Sequence, residues 1–214
     1  MDNWDFRAAL AALELTLHHV RKKMLLISLV GVLLGFPPAS GRAFQSGSQI
    51  VNGDFESGGG VGWSESSLLS LPLVLHSSGL PADVDPRAGS YAAWLGGEIN
   101  ETASLFQTVT ISDQSSVLGY WHWIDSSDTC GFDHARVLVD DTPIHSYTLC
   151  MISATGGWVK KTVDLSPYIG QTMVLSIQIQ SDEYFLSSLF LDDVALEPGP
   201  PISHQVYLPL ILNP

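Results

Sequence analysis

The 214-residue sequence has few basic residues, with nine Lys and Arg against 22 Asp and Glu and a formal net charge of −13. From Phe44 onward, only four basic residues oppose 19 acidic ones. Nucleic-acid binding needs basic surface that displaces phosphate counterions, so this composition excludes it. Two interpretations of the acidic excess remain: it keeps the protein soluble outside the cell, or it forms a surface that binds divalent cations.

Common catalytic motifs are also missing from the sequence. It contains no Gly-x-Ser-x-Gly nucleophile elbow, no His-Glu-x-x-His zinc motif and no P-loop. We therefore predict that the protein is not an enzyme and assign no catalytic residues.

Hydrophobic runs long enough to cross a membrane are absent too. The apolar run from Met24 to Gly35 has 12 residues, whereas a bilayer of roughly 30 Å requires about 20. Three basic residues precede this run, and small residues up to Ala43 follow it, as in a secretory signal peptide. We predict an N-terminal extension and signal peptide over 1–43 and a secreted mature chain that does not span a membrane.

Only two cysteines occur, Cys130 and Cys150, and both lie in the exported part. An even pair in an oxidising compartment predicts a disulfide. Two reduced, buried thiols are the alternative.

Short strands separated by turn residues are what the chain does contain after Gln49. In 171–180, Met173, Leu175, Ile177 and Ile179 alternate with other residues, which is typical of a strand with one buried face. About ten such segments without a convincing helix predict an all-β fold, a β-sandwich of the jelly-roll type, over 44–197. The segments are 49–55, 69–76, 91–96, 103–111, 116–124, 134–140, 143–149, 158–164, 171–180 and 188–197. A Pro-rich linker and an apolar C-terminal tail, expected to dock on the sandwich or on a partner, occupy 198–214.

Two adjacent carboxylates, Asp192 and Asp193, interrupt the last predicted strand. Successive strand side chains point to opposite faces, so one of the two must face inward or sideways. An inward carboxylate costs several kcal/mol unless a cation or hydrogen-bond donors meet it, and a calcium ion is one such partner. If the first and last strands are neighbours, Glu56 and Asp192 can share the ion. An exposed pair of acids at a strand end is the alternative.

The opening Asn-Gly-Asp-Phe-Glu at 52–56 and the closing Phe-Leu-Asp-Asp-Val-Ala-Leu at 190–196 carry a family resemblance. They resemble the two edges of galactose-binding-like jelly-roll modules, which include carbohydrate-binding modules attached to cellulases and xylanases. The resemblance covers roughly 49–197. It implies a structural calcium ion whose predicted ligands are the Glu56 and Asp192 side chains and carbonyls of Asp54 and of the turn from Ala88 to Tyr91. The second carboxylate, Asp193, departs from the family pattern. If the strand register shifts by one residue, Asp193 takes the place of Asp192 as the calcium ligand.

Four aromatic residues stand together on one predicted strand. Trp121 and Trp123 share one face, and Tyr120 and His122 share the other. Such rings can stack on sugars, which makes all four candidates for ligand binding. Because a strand this apolar on both faces is usually central, packing between the two sheets is the competing interpretation.

The loop 125–133 holds three carboxylates, from Asp125, Asp128 and Asp133, without the spacing of an EF-hand. There are two interpretations of this loop: it is solvated and held by the disulfide, or it binds a second cation.

For the whole chain, we predict a secreted, non-catalytic module that binds a polysaccharide or cell-surface glycan and contains a structural Ca²⁺. A structural or adhesive module that mediates protein contacts is the main alternative.

Overall fold

Ten β-strands run through residues 49–199, the part of the chain that the computed structural model of the protein describes. The predicted signal peptide and C-terminal tail lie outside the described residues. The strands are β1 (Ser64–Ser67), β2 (Val74–His76), β3 (Tyr91–Gly96), β4 (Thr102–Thr110), β5 (Val117–Ser126), β6 (Asp133–Val139), β7 (Thr142–Leu149), β8 (Val159–Asp164), β9 (Thr172–Gln180) and β10 (Ser187–Glu197). No helix in this range is long and apolar enough to cross a membrane.

The strands form two five-stranded sheets in which every pair is antiparallel. The first sheet has the order β1-β4-β9-β6-β7, and the second has the order β2-β3-β10-β5-β8. β9 and β10 lie at the centres of the two sheets and pack into the core between them. The predicted all-β jelly-roll sandwich is therefore confirmed.

Alternation along β9 places its apolar residues in the core, as the sequence predicts. Met173, Leu175, Ile177 and Ile179 are at most 3% exposed, while Val174 and the glutamine residues face outward or are half-buried. Burial of one such aliphatic side chain stabilises the fold by roughly 1.5–3 kcal/mol. Packing of its inner face against the core thus stabilises the strand, and its outer face can carry polar residues.

The first predicted strand, 49–55, is wrong. Its residues form consecutive turns, and Asn52 and Phe55 have φ angles of 54° and 57°. The segment nevertheless lies against the last strand, because the Val194 N–H donates to the Gly53 carbonyl at 2.8 Å. The two ends of the domain are neighbours, as predicted, without forming a regular strand pair.

A second apolar cluster covers the outer face of the second sheet. Phe190 of β10 lies between Trp94 of β3 and Trp123 of β5, at centroid distances of 5.7 and 6.3 Å. Leu80 and Val84, from the connection between β2 and β3, pack over these rings. The second sheet is therefore apolar on both faces, whereas the outer face of the first sheet is largely polar.

Candidate functional site

Asp192, the first of the two adjacent carboxylates, is the one that faces inward. Its side chain is fully buried, and its two oxygens accept the backbone N–H groups of Asp193 at 2.7 Å, Arg87 at 2.9 Å and Ala88 at 3.3 Å. Burial raises the pKa of Asp192 to about 6, although the N–H donors of Asp193 and Ala88 oppose this. Burial therefore penalises the charge of this carboxyl group, and the backbone N–H donors offset part of that penalty.

Asp193 occupies a bulge and points away from this site. The pairing of β10 with β5 shifts register between Asp192 and Ala195, and Asp193 has a φ angle of 48°. Its carboxylate forms an ion pair with the guanidinium of Arg87, one of the four basic residues that follow Ala43. The bulge separates the roles of the two carboxylates, because the extra residue turns the second one outward.

Glu56 reaches the same turn from the other end of the domain. Its Oε1 atom accepts the N–H groups of Ser90 at 2.8 Å and Tyr91 at 2.9 Å. Gly89 has a φ angle of 64°, and a Cβ atom there would overlap the Glu56 carboxylate. The turn thus contains glycine where a carboxylate approaches its backbone most closely.

Glu56 and Asp192 together hold both ends of the turn 87–91 by accepting hydrogen bonds from its backbone N–H groups. Calcium binds carboxylate and carbonyl oxygens at 2.3–2.6 Å. The Asp54 side chain is engaged locally, since its Oδ1 atom accepts the Glu56 N–H at 3.4 Å. Calcium binding by these side chains and by the predicted carbonyls of Asp54, Ala88 and Tyr91 stays a prediction.

Two of the four predicted ligand-binding aromatics lie in the core. Tyr120 is fully buried and His122 is 7% exposed, and the His122 ring lies 5.6 Å from that of Tyr147 on the facing sheet. Burial lowers the pKa of His122 to about 4, with further lowering by Lys161 and His145. Neither ring can contact a sugar, so the packing interpretation is correct for these two residues.

Trp121 and Trp123 are half-buried on the opposite face of β5. The Arg87 guanidinium lies over the Trp121 ring, 4.1 Å from its centroid. Trp123 packs edge to face against Phe190 and against Trp158, whose centroid is 6.1 Å away. These contacts assign both rings a packing role, and their contact with a ligand stays a prediction.

An open cleft of about 730 Å³ lies instead at one end of the sandwich, where β9 ends and β6 begins. Its rim carries three large exposed aromatic side chains: Phe132, Tyr184 and Phe185, which are 57%, 62% and 60% exposed. Polar and acidic groups complete the lining. Among them are Asn100, Asp128, His134, Gln180, Asp182 and Glu183. Aromatic faces beside hydrogen-bonding groups can bind a sugar or a polar peptide.

A disulfide holds one wall of this cleft. Cys130 and Cys150 are bonded, with Cα atoms 4.8 Å apart, which confirms the predicted pair. The bond ties the loop that bears Phe132 to the end of β7, and Met151 N–H donates to the Asp128 carbonyl at 3.0 Å beside it. The wall is therefore fixed to the first sheet at two points.

Sequence patterns do not single out this cleft, because its parts come from distant segments. Phe132 and the pair Tyr184-Phe185 stand 52 residues apart and meet only because β6 pairs with β9. The only local signal is a pair of large aromatic residues, followed by Leu186, in a connection otherwise made of Ser, Asp and Glu.

No family model matches this chain, and no curated protein matches it. Among solved structures, the K1 cleaved adhesin domain of Lys-gingipain from Porphyromonas gingivalis W83 is 12% identical, with a TM-score of 0.53 over 72% of this chain and 100% of that one. TmCBM61, solved with β-1,4-galactotriose, is 15% identical over 67% and 92%, with a TM-score of 0.46. A cyclase from Fischerella sp. TAU, solved with 4-(1H-indol-3-yl)butan-2-one, is 16% identical over 72% and 99%, with a TM-score of 0.43.

At these identities the likeness concerns the fold alone, and the K1 adhesin domain, with a TM-score of 0.53, shares the fold described above. A shared fold does not decide between binding and catalysis, so the function has to be argued from the site.

Proposed function

We propose that this protein is a secreted, non-catalytic module that binds a glycan or another cell-surface polymer in the cleft at the end of the sandwich. The observation that carries the proposal is the rim of three exposed aromatic side chains, Phe132, Tyr184 and Phe185. Soluble proteins seldom leave several large apolar side chains exposed side by side unless the patch binds something. Flat rings flanked by amide and carboxylate groups suit a sugar, whose C–H face stacks while its hydroxyl groups form hydrogen bonds.

Secretion is supported by the signal-peptide pattern over 1–43 and by the Cys130–Cys150 bond, since disulfides persist in oxidising compartments. A structural calcium ion held by Glu56 and Asp192 is part of the same proposal. Its support is the convergence of these carboxylates, from the two ends of the domain, on the turn 87–91. Such an ion would stabilise the fold and would not contact the ligand in the cleft.

An adhesive module that binds a protein is the second candidate. Exposed aromatic residues are also frequent among the residues that dominate protein–protein binding energy, and the similar structure with the highest TM-score reported above is an adhesin domain. The glycan proposal predicts saturable binding of an isolated oligosaccharide, whereas the protein-binding alternative predicts none.

The test is a glycan array with the secreted protein, followed by calorimetry on the oligosaccharides that bind. Each stacked ring contributes about 1 kcal/mol, so Tyr184→Ala and Phe185→Ala should each weaken binding by roughly fivefold. Ile169→Ala is the matched control, because Ile169 is also exposed but lies beyond the opposite end of β9, about 30 Å away. Binding that is equally weakened by the control, or absent for every glycan, would overturn the proposal.

A further inference from the structure

Three carboxylates from three separate segments meet at the base of the cleft. Asp128 lies in the connection between β5 and β6, Asp133 begins β6, and Asp182 follows β9. One oxygen of each lies within 4.8 Å of the others. Asp125, the remaining carboxylate of the loop 125–133, is exposed and is not part of this group.

Two of these carboxylates are buried with an oxygen that has no hydrogen-bond partner. Asp128 is 2% exposed and Asp133 is fully buried, and the Oδ2 atom of each has no partner in hydrogen-bonding geometry, although the Ser187 hydroxyl, which is hydrogen-bonded to the Ser126 hydroxyl at 2.8 Å, interacts with Asp133. Buried polar atoms almost always have a partner, and an unpaired buried carboxylate oxygen costs several kcal/mol. Each of these two neighbouring oxygens therefore requires a hydrogen-bond donor, a proton or a cation as its partner.

The other oxygens of the group are already hydrogen-bonded and orient the side chains. The Asp133 Oδ1 atom accepts the Asp182 N–H at 2.8 Å, and the Asp128 Oδ1 atom accepts the Thr129 N–H at 2.6 Å. The Asp182 Oδ1 atom accepts the Tyr184 N–H at 2.8 Å. Backbone donors thus fix one oxygen of each carboxylate, and for Asp128 and Asp133 the other oxygen is left for the shared space.

No basic side chain neutralises this cluster within residues 49–199. The ion pairs there join Arg87 to Asp193 and Lys160 to Glu197. Arg136, on the strand that Asp133 begins, donates to the Gln180 side chain at 3.0 Å. Three carboxylates this close repel one another strongly at low dielectric, and a divalent cation reverses the sign of that interaction.

We propose that Asp128, Asp133 and Asp182 bind a divalent cation of the calcium class at the base of the cleft. The donors are all oxygen, which favours calcium over softer metals such as zinc. Two oxygens on opposite sides of a calcium ion stand about 5 Å apart, which agrees with a group whose oxygens lie within 4.8 Å of one another. The ion joins three segments that the disulfide alone does not connect, including the one that leads to Tyr184 and Phe185.

Equilibrium dialysis with calcium alone tests this site without any glycan. Asp133→Asn and Asp182→Asn should each bind one ion fewer than the wild type, or bind it at least about tenfold more weakly, because each removes a charged ligand. Asp113→Asn, at an exposed position in the turn between β4 and β5, is the matched control and should bind as the wild type does. Unchanged calcium uptake in both site variants would overturn the proposal.

Glu56→Gln separates this ion from the one proposed above. Two ions in the wild type, one lost in Glu56→Gln and the other in Asp182→Asn, support both sites. One ion that is lost in Asp182→Asn but kept in Glu56→Gln supports the cleft site and contradicts the other. One ion lost only in Glu56→Gln contradicts the cleft site.

The buried carboxylates could be neutralised either by the proposed ion or by a bound proton. Melting curves of Asp133→Asn distinguish these two cases. In chelator the variant should melt above the wild type, because the amide removes repulsion. In calcium the order should reverse, because only the wild type gains the ion. If the variant is more stable than the wild type by the same amount in chelator and in calcium, the proposal is overturned. If Asp133→Asn does not fold, Asp182→Asn, at a half-buried position, provides the same comparison.

Discussion

Replacing Gly89 by alanine tests the contact between Glu56 and the turn 87–91. Gly89 has a φ angle of 64°, which costs a residue with a Cβ atom about 1–2 kcal/mol, and the new Cβ would also displace the Glu56 carboxylate. Loss of the hydrogen bonds to Ser90 and Tyr91 adds about 1 kcal/mol, since Glu56 is exposed. We expect Gly89→Ala to lower the free energy of unfolding by about 2–3 kcal/mol.

Gly60→Ala is the control for the backbone alone. Gly60 has a φ angle of 72°, and nothing lies within 4 Å of the position that its Cβ would take. It should therefore cost only about 1–2 kcal/mol. In urea denaturation with a slope of about 2 kcal/mol per molar, the difference of about 1 kcal/mol separates the two midpoints by about 0.5 M.

A double-mutant cycle with Glu56→Ala isolates the carboxylate contact, and all four proteins are measured in chelator so that calcium does not contribute. In the Glu56→Ala background, Gly89→Ala should cost no more than Gly60→Ala does, which gives a coupling of about 1 kcal/mol. A coupling near zero, or equal costs for the two glycine variants in the wild-type background, would refute the role of Glu56 in holding this turn.

Three further predictions concern pH, the disulfide and calcium. Because the pKa of His122 is lowered to about 4 in the fold and is about 6.5 when unfolded, the contribution of His122 to stability is fully present above pH 6.5 and should fall by about 1–2 kcal/mol as the pH drops to 4. The raised pKa of Asp192 acts with the opposite sign over the same range, so the His122 contribution is measured as a difference. Between pH 6.5 and 4, the urea midpoint of the wild type should fall relative to that of His122→Phe but not relative to that of His76→Gln. Replacing Cys130 and Cys150 by serine should lower the free energy of unfolding by roughly 3 kcal/mol in the same assay. Asp192→Ala should bind one calcium ion fewer than the wild type by calorimetry, and equal uptake would contradict that site.

The pH and disulfide predictions also have outcomes that contradict them. A pH dependence between pH 4 and 6.5 that is the same in the wild type and in His122→Phe would assign the proton uptake to another group. A serine pair as stable as the wild type means that packing alone fixes the loop at Phe132. Calcium at a hundred times its dissociation constant adds about 2.7 kcal/mol of stability, so the loss in Asp192→Ala should also appear as a smaller effect of chelator on melting.

The strands that could be predicted from sequence are those with a buried face. β9 shows alternation over its whole length, and its predicted and observed ranges differ by one residue. β1 was missed because Ser64–Ser67 contains no apolar residue, and it joins the edge of the first sheet through pairing with β4. The segment 49–55 has a strand-like composition, but positive φ angles at Asn52 and Phe55 turn the chain.

For the candidate sites too, local sequence predicts which residues share a strand face, whereas contacts between distant segments cannot be predicted from it. Period-two alternation separates Trp121 and Trp123 from Tyr120 and His122, but it cannot tell that Arg87 lies over Trp121 on the outer face. The acid pair at 192–193 signals a buried carboxylate, and the bulge decides which one is buried. Asp182 was missed as a partner of Asp128 and Asp133 because the pairing of β6 with β9, and not local sequence, brings them together.

Chemical-shift mapping tests most directly whether the cleft is the binding site. An isotope-labelled sample is titrated with an oligosaccharide that binds on the array, and amide shifts are followed across residues 49–199. The cleft proposal predicts the largest shifts at Phe132, Tyr184 and Phe185, with the amides of Trp121 and Trp123 unchanged. Shifts centred on Trp121 and Trp123, with none at the cleft, would contradict it.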